Sequence, residues 1–286
     1  MSDDETQKLE EMVGLLKSQL MVKPKDAHKR YQLGSAYHRL GKLELAEKAY
    51  SRAAKLKPDH YPSLFGLGKV HLAREEWHEA VEALKQATVA KPERLEGQNE
   101  LGRVALRVEA WDIAARALHE VAKLDESGEV PDAPALAGDA YVKVQEHAEA
   151  VDAYERAIKL HPDEPGILLK LGREYNAVQD WSAAQRTLRS LTHIDDGNTE
   201  GFKLLGAACC ELKEDEPAIE AYRRALELDP DYLRGHMAIG EVYEKTDQDE
   251  LALNSYKVAL RFLPEDHGIH FKLGRVLKRL GKCGEA

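Results

Sequence analysis

Few residues in this chain have the type and spacing for chemistry, and the best placed of them fall short of a catalytic set. His267 and His270 lie one helical turn apart and could share a face with a metal ion. Zinc would need one or two further ligands, and Cys283 is poorly placed to supply one, so no metal site is read. Cys209 and Cys210 are adjacent and point in different directions on a helix, which leaves Cys209 as a small core residue. Phe65-Gly-Leu-Gly-Lys-Val-His71 opens like a dinucleotide loop but lacks the third glycine and a preceding strand. The Gly-Lys pairs at 41–42 and 281–282 run into Leu43 and Cys283, where a phosphate loop has Ser or Thr. No catalytic residue and no cofactor is expected.

Basic side chains recur with a clearer rhythm. Arg39, Lys69, Arg103, Arg107, Lys143 and Arg173 belong to two columns that repeat along the chain. The first column reads Ser35, Lys69, Arg103, Asp139, Arg173, Ala207, Glu241, Arg275. The second reads Arg39, Ala73, Arg107, Lys143, Ala177, Glu211, Lys245, Arg279. The columns are four residues apart, so they share one face of a helix. Nine basic and three acidic residues occupy them, in a chain of net charge −10. A basic stripe in an acidic molecule focuses attraction on acidic partners, and arginine suits bidentate carboxylate contacts. The competing reading is a row of solvated helix positions, where Lys and Arg are good helix formers.

The elements that carry these columns are set by a period. Gly34, Gly68, Gly102, Gly138, Gly172, Gly206, Gly240 and Gly274 are each followed twelve residues later by an alanine, from Ala46 to Ala286. The spacing is 34 residues in every interval but one, where it is 36. Numbering each repeat from its start puts the glycine at position 8, the alanine at position 20 and the basic columns at 9 and 13. Positions 4, 7, 8 and 11 fall on one face of a first helix, and 20, 24, 27 and 28 on one face of a second. Glycine inside a helix costs about 1 kcal/mol relative to alanine. Its recurrence therefore predicts a close approach, expected here against the alanine at position 20. Pro58, Pro92, Pro162, Pro230 and Pro264 mark the end of the second helix.

The pattern Leu-Gly-x-x-Tyr, then Ala-x-x-x-Tyr, then Ala-Leu-x-x-x-Pro resembles the tetratricopeptide repeat. It is complete from Leu205 to Pro230 except for Cys209, and from Ile239 to Pro264 except for Ile239. The resemblance implies an all-α fold, a right-handed α-solenoid of stacked antiparallel helix pairs. Residues 27–286 would form the array, in units 27–60, 61–94, 95–128, 131–164, 165–198, 199–232, 233–266 and a partial 267–286. Residues 1–26 would be an N-terminal helix, either a partial repeat or a cap. A solenoid is one continuous stack in which each unit touches its neighbours. The resemblance also implies a concave surface, lined by the first helices, that binds extended peptides or helices. Two specialised groove chemistries of the family are not matched. The chaperone-type carboxylate clamp fails at Ala207, which follows Lys203 where an asparagine is needed. The asparagine ladder at position 6 is replaced by Gln32, Gly66, Glu100, Leu136, Lys170, Leu204, Ala238 and Lys272.

The function expected is a non-catalytic protein-interaction scaffold or adaptor, with Arg39, Lys69, Arg103, Arg107, Lys143 and Arg173 contacting an acidic peptide. The alternative is the recognition arm of an enzyme whose catalytic domain lies beyond residue 286. The acidic composition argues against nucleic acid, no run is long and apolar enough for a membrane helix, and three cysteines make no disulfide framework. A cytoplasmic setting fits best. Trp77, Trp111 and Trp181 all fall at position 17, where packing across the intra-repeat turn competes with ligand stacking. The insertion at 126–134 predicts a longer loop. Ala286 stops the sequence at position 20, so Phe271, Leu273 and Leu277 are expected half covered, and self-association through that face is a third reading.

Overall fold

The computed structural model describes residues 3–282. Ala286 and Cys283 lie outside them. The chain divides into two compact units, Met1–Glu149 and Ala150–Ala286. The first holds α1 (Asp3–Val22), α2 (Ala27–Arg39), α3 (Leu43–Leu56), α4 (Tyr61–Ala73), α5 (Trp77–Ala90), α6 (Leu95–Arg107), α7 (Trp111–Leu124) and α8 (Ala133–Lys143). The second holds most of α9 (His147–Leu160), then α10 (Pro165–Ala177), α11 (Trp181–Ile194), α12 (Thr199–Glu211), α13 (Asp215–Leu228), α14 (Leu233–Lys245), α15 (Asp249–Phe262) and α16 (His267–Arg279). Among the described residues there is no strand. In each unit the helices stack as antiparallel pairs. In the first, α2 packs on α3, α4 on α5 and α6 on α7; in the second, α10 packs on α11, α12 on α13 and α14 on α15.

The turn inside each repeat is built from backbone geometry alone. Residue 15 of every repeat takes a left-handed conformation: Gly41, Glu75, Glu109, Gln145, Gln179, Lys213, Asp247 and Gly281. Around it the amide of residue 15 donates to the carbonyl three residues back, and the next amide donates five residues back. Examples are Gly41 N to His38 O (2.9 Å) with Lys42 N to Tyr37 O (2.9 Å), and Lys213 N to Cys210 O (3.1 Å) with Glu214 N to Cys209 O (3.0 Å). This is the Schellman arrangement, and it satisfies carbonyls that the helix end leaves open. Six of the eight residues are not glycine, each accepting a left-handed cost of about 1–2 kcal/mol.

The second helices end at the same register with or without proline. α7 stops at Leu124 and α11 at Ile194 although Glu126 and Asp196 fill the proline slot. At four of the prolines the carbonyl has a use. Arg30 Nε, Gln98 Nε2, His236 Nε2 and His270 Nε2, all at position 4 of the following repeat, lie 3.0, 3.1, 3.2 and 2.7 Å from the carbonyls of Pro24, Pro92, Pro230 and Pro264. His270 therefore spends its Nε2 on a helix–helix turn. The insertion forms the expected longer connection between α7 and α8. Asp125 organises it, accepting from Glu129 N (2.9 Å) and Val130 N (2.7 Å). Burial alone would push the Asp125 carboxyl up, but these amide bonds outweigh it and hold the carboxyl below its ordinary value.

The close approach at position 8 differs from the expected one. A Cβ on Gly34 would stand 2.7 Å from the Tyr50 ring, one on Gly68 2.7 Å from Leu84, one on Gly102 2.6 Å from Leu118, and one on Gly206 2.7 Å from Tyr222. The glycine thus makes room for the large side chain at position 24, not for the alanine at position 20. That alanine is fully buried in its own right at Ala46, Ala80, Ala114, Ala150, Ala184, Ala218 and Ala252. The large residue crosses the interface because its side chain reaches back over the turn before it. At the last described helix, Leu277 is fully buried rather than half covered, Leu273 is partly buried, and Phe271 is 70% exposed.

Candidate protein-interaction face

The six basic residues expected at the contact stripe all lie on first helices, on α2, α4, α6, α8 and α10. Three of them, all at position 9, are held by an acid of the following repeat. Lys69 Nζ is 3.7 Å from Glu96, Arg103 grips both oxygens of Asp132 at 2.8 and 2.9 Å, and Arg173 is 3.6 Å from Glu200. Each acid stands at position 2. Arg39 reaches Glu5 of α1 at 2.7 Å. Pairs this exposed contribute at most about 1 kcal/mol each, but they cancel much of the charge that the stripe would show a partner.

A signal for this pairing was present in the sequence. Position 2 is acidic after each of those three position-9 bases, as Glu96, Asp132 and Glu200. It is not acidic after Ser35, Asp139, Ala207 or Glu241, where Pro62, Gly166, Arg234 and Gly268 follow. Columns 9 and 13 read alone cannot reveal it, because the partner sits in the next repeat.

Arg107 and Lys143 behave differently. The Arg107 guanidinium lies 3.9 Å from the centroid of the Trp77 ring, and Lys143 Nζ lies 5.8 Å from that of Trp111. Neither is paired with a carboxylate among the described residues, and both are exposed. The indole at position 17 thus carries the cation at position 13 of the following repeat. Stacking of this kind contributes about 0.5–1 kcal/mol at exposed sites and holds the charged edge in a fixed direction.

Four basic residues of α16 and the turn after it are also engaged, by the preceding repeat. Lys272 pairs with Glu241, Arg275 with Glu244 at 2.5 Å, Arg279 with Asp247 and Asp249, and Lys282 with Glu250 at 2.9 Å. Glu244 is buried, 7% exposed, and also accepts from Tyr256 Oη at 3.1 Å. Burial would push its carboxyl up. The hydrogen bonds from Arg275 and Tyr256, with the charges of Arg275 and Arg279, outweigh that and hold it below the ordinary value.

Two of the hollows within the second unit are the largest described there. One, of about 930 Å³, faces the second helices α11 and α13, and its arginines are tied down. Arg189 is 3.5 Å from Glu214, Arg224 is 2.7 Å from Glu227, and Arg223 donates to Tyr243 Oη. The other, of about 750 Å³, is a cleft among α10, α12 and α14 that sequence reasoning missed. Ala177, Ala207 and Ala238 line it, with Trp181, Glu211, Arg173, Lys213 and Lys245 around them. It arises because alanines fall at positions 13, 9 and 6 of three consecutive first helices, which becomes a depression only once the helices are side by side. Among the described residues no group of three His, Cys, Asp or Glu could hold a metal. None of the described helices is long and apolar enough to cross a membrane.

Stacked antiparallel helix pairs recurring with a 34-residue period, each closed by a Schellman turn at residue 15, define a tetratricopeptide-type helical repeat protein, a class whose members generally serve as non-catalytic scaffolds for protein–protein interaction. A tetratricopeptide repeat model matches residues 216–267. The chain belongs to the Cilia and flagella-associated protein 70 C-terminal domain family, whose model matches residues 5–230, well over half its length. Among curated proteins it is similar to small glutamine-rich tetratricopeptide repeat-containing protein 2 of Mycosarcoma maydis, 24% identical over 93 residues. That match takes in 32% of this chain and 26% of the relative, so the chain spans about a quarter of that protein's length. Among solved structures, MamA protein superposes with a TM-score of 0.53 at 25% identity, over 55% of this chain and 86% of that one. MamA from Desulfovibrio magneticus RS-1 shares the fold at 20% identity and a TM-score of 0.51, over 60% and 97%.

Proposed function

We propose that this chain is a non-catalytic adaptor that holds an acidic peptide or helix against its first helices, in a cytoplasmic setting. In this reading residues 27–286 form the binding array and α1 caps it. The observation that carries the reading is the pair of exposed cations set on indoles, Arg107 on Trp77 and Lys143 on Trp111. A guanidinium stacked by its face keeps its N–H edge for a bidentate carboxylate, and stacking lowers the entropy lost when that contact forms. In this reading Arg39, Lys69, Arg103 and Arg173 join the contact by exchanging their internal carboxylates for those of the partner.

Binding of fluorescent acidic peptides at low and moderate salt tests this. Arg107→Glu with Lys143→Glu should abolish binding, whereas Arg103→Glu with Arg173→Glu should weaken it only a few fold, helicity being unchanged in both. Affinity should fall as salt rises. Equal binding by the first variant and the unaltered protein would overturn the assignment.

A further inference from the structure

The three tryptophans occupy one register position, but only two carry a cation. Trp77 has Arg107 over its ring and Trp111 has Lys143, each supplied by position 13 of the next repeat. For Trp181 that position is Glu211. No cation lies over the Trp181 ring among the described residues, and Glu211 has no ion-pair partner there. Both line the cleft of about 750 Å³ among α10, α12 and α14. The third site therefore offers a cleft-lining indole that carries no cation and an exposed carboxylate without an ion pair, where the other two sites hold their own cation.

We propose that this cleft binds a lysine or arginine side chain of a protein partner, its cationic group lying on Trp181 and paired with Glu211. The partner would thus supply in trans the contact that Arg107 and Lys143 supply within the chain. The π face attracts a cation, and the carboxylate neutralises it with a charge-assisted hydrogen bond. Ala177, Ala207 and Ala238 leave room for the aliphatic stem, whose burial follows the usual behaviour of long basic side chains. Arg173, Lys213 and Lys245 also line the cleft. Arg173 is turned to Glu200 at 3.6 Å, while Lys213 and Lys245 oppose a run of positive charge. The cleft therefore selects an isolated basic side chain over a polycation. The inference shares with the proposed function the premise of a protein partner and the residue Arg173, but it rests on Trp181 and Glu211 and concerns the opposite charge.

The test uses the full chain labelled with 5-fluorotryptophan, its three fluorine resonances assigned by single Trp→Phe variants. The probe is the blocked tripeptide Ala-Arg-Ala, and the blocked tripeptide Ala-Glu-Ala is the control. The Trp181 resonance should shift saturably with the arginine probe, while those of Trp77 and Trp111 stay fixed. Glu211→Arg installs the cation that the other repeats already use at this register, so the variant should fold, and it should weaken the Trp181 response at least tenfold. Glu211→Gln should weaken it severalfold. No Trp181 shift, a common shift of all three resonances, or a response retained in Glu211→Arg would each overturn the proposal. A shift of Trp77 and Trp111 with Ala-Glu-Ala reports on the acidic-peptide reading separately, so either reading can fail alone.

Discussion

At the scale of single residues, the most constrained charge is Glu244. It is buried among Arg275, Arg279 and Tyr256, and its folded pKa lies below its ordinary value. A carboxyl with a depressed folded pKa adds stability that is full above the unfolded value of about 4.3 and is lost as pH falls through the folded value. Glu244→Gln should therefore lower stability at pH 7 by about 1–3 kcal/mol, since it leaves Arg275 without its charged partner. The gap to the unaltered protein should close near pH 3, as thermal melts between pH 3 and 7 would show. A gap that stays constant with pH would mean the carboxylate charge contributes nothing. Position 12, which Glu244 occupies, carries no chemistry legible in sequence; its importance comes from three partners brought in from α15 and α16.

At the scale of helix pairs, the glycine at position 8 and the large residue at position 24 act as one joint. Gly102 and Leu118 illustrate it, with a Cβ on Gly102 falling 2.6 Å from Leu118 Cγ. Gly102→Ala gains about 1 kcal/mol of helix propensity but overpacks the joint at a cost of about 1–3 kcal/mol, for a net loss of up to about 2 kcal/mol. In a Leu118→Ala background the clash is gone and the same substitution should be neutral or stabilising. Chemical denaturation of the two single variants and the double variant measures this coupling, and strict additivity would refute the joint. The periodicity marked both positions as core. It could not assign the pairing, because the period specifies which face a residue is on and not how far its side chain reaches. The alanine at position 20 was the natural guess for a glycine's partner, and the direction of helical side chains decided for position 24 instead.

At the scale of the molecule, stacked repeats draw stability from their neighbours. Helix α1 packs on α2 through Leu9, Val13, Leu16 and Leu20 and leaves Met12, Leu15, Met21 and Val22 exposed. Its positions 20 and 27 are Met12 and Gln19, where the later second helices mostly have alanine, so this helix lacks the small residues that allow a close partner. Amide exchange in α1 should be at least tenfold faster than in α5, which is covered by α4 and α6. Equal protection of α1 and α5 would contradict this, and would show that α1 is stabilised as fully as an interior helix.

The sequence alone determined the 34-residue repeat, the buried faces of its two helices and the alanines they carry, because a strict period repeats the same local rules and local rules act within one or two helical turns. It also marked the basic columns and the register shared by the three tryptophans. The tertiary structure decided what those columns meet. Lys69, Arg103 and Arg173 turn to acids of the next repeat, Arg107 and Lys143 rest on indoles of the preceding one, and Trp181 lines a cleft with Glu211 and carries no cation. Each of these contacts joins residues some thirty positions apart. Electrostatic and stacking energies depend on distances of a few ångströms, and across such separations only the packing of one helix pair on the next sets those distances.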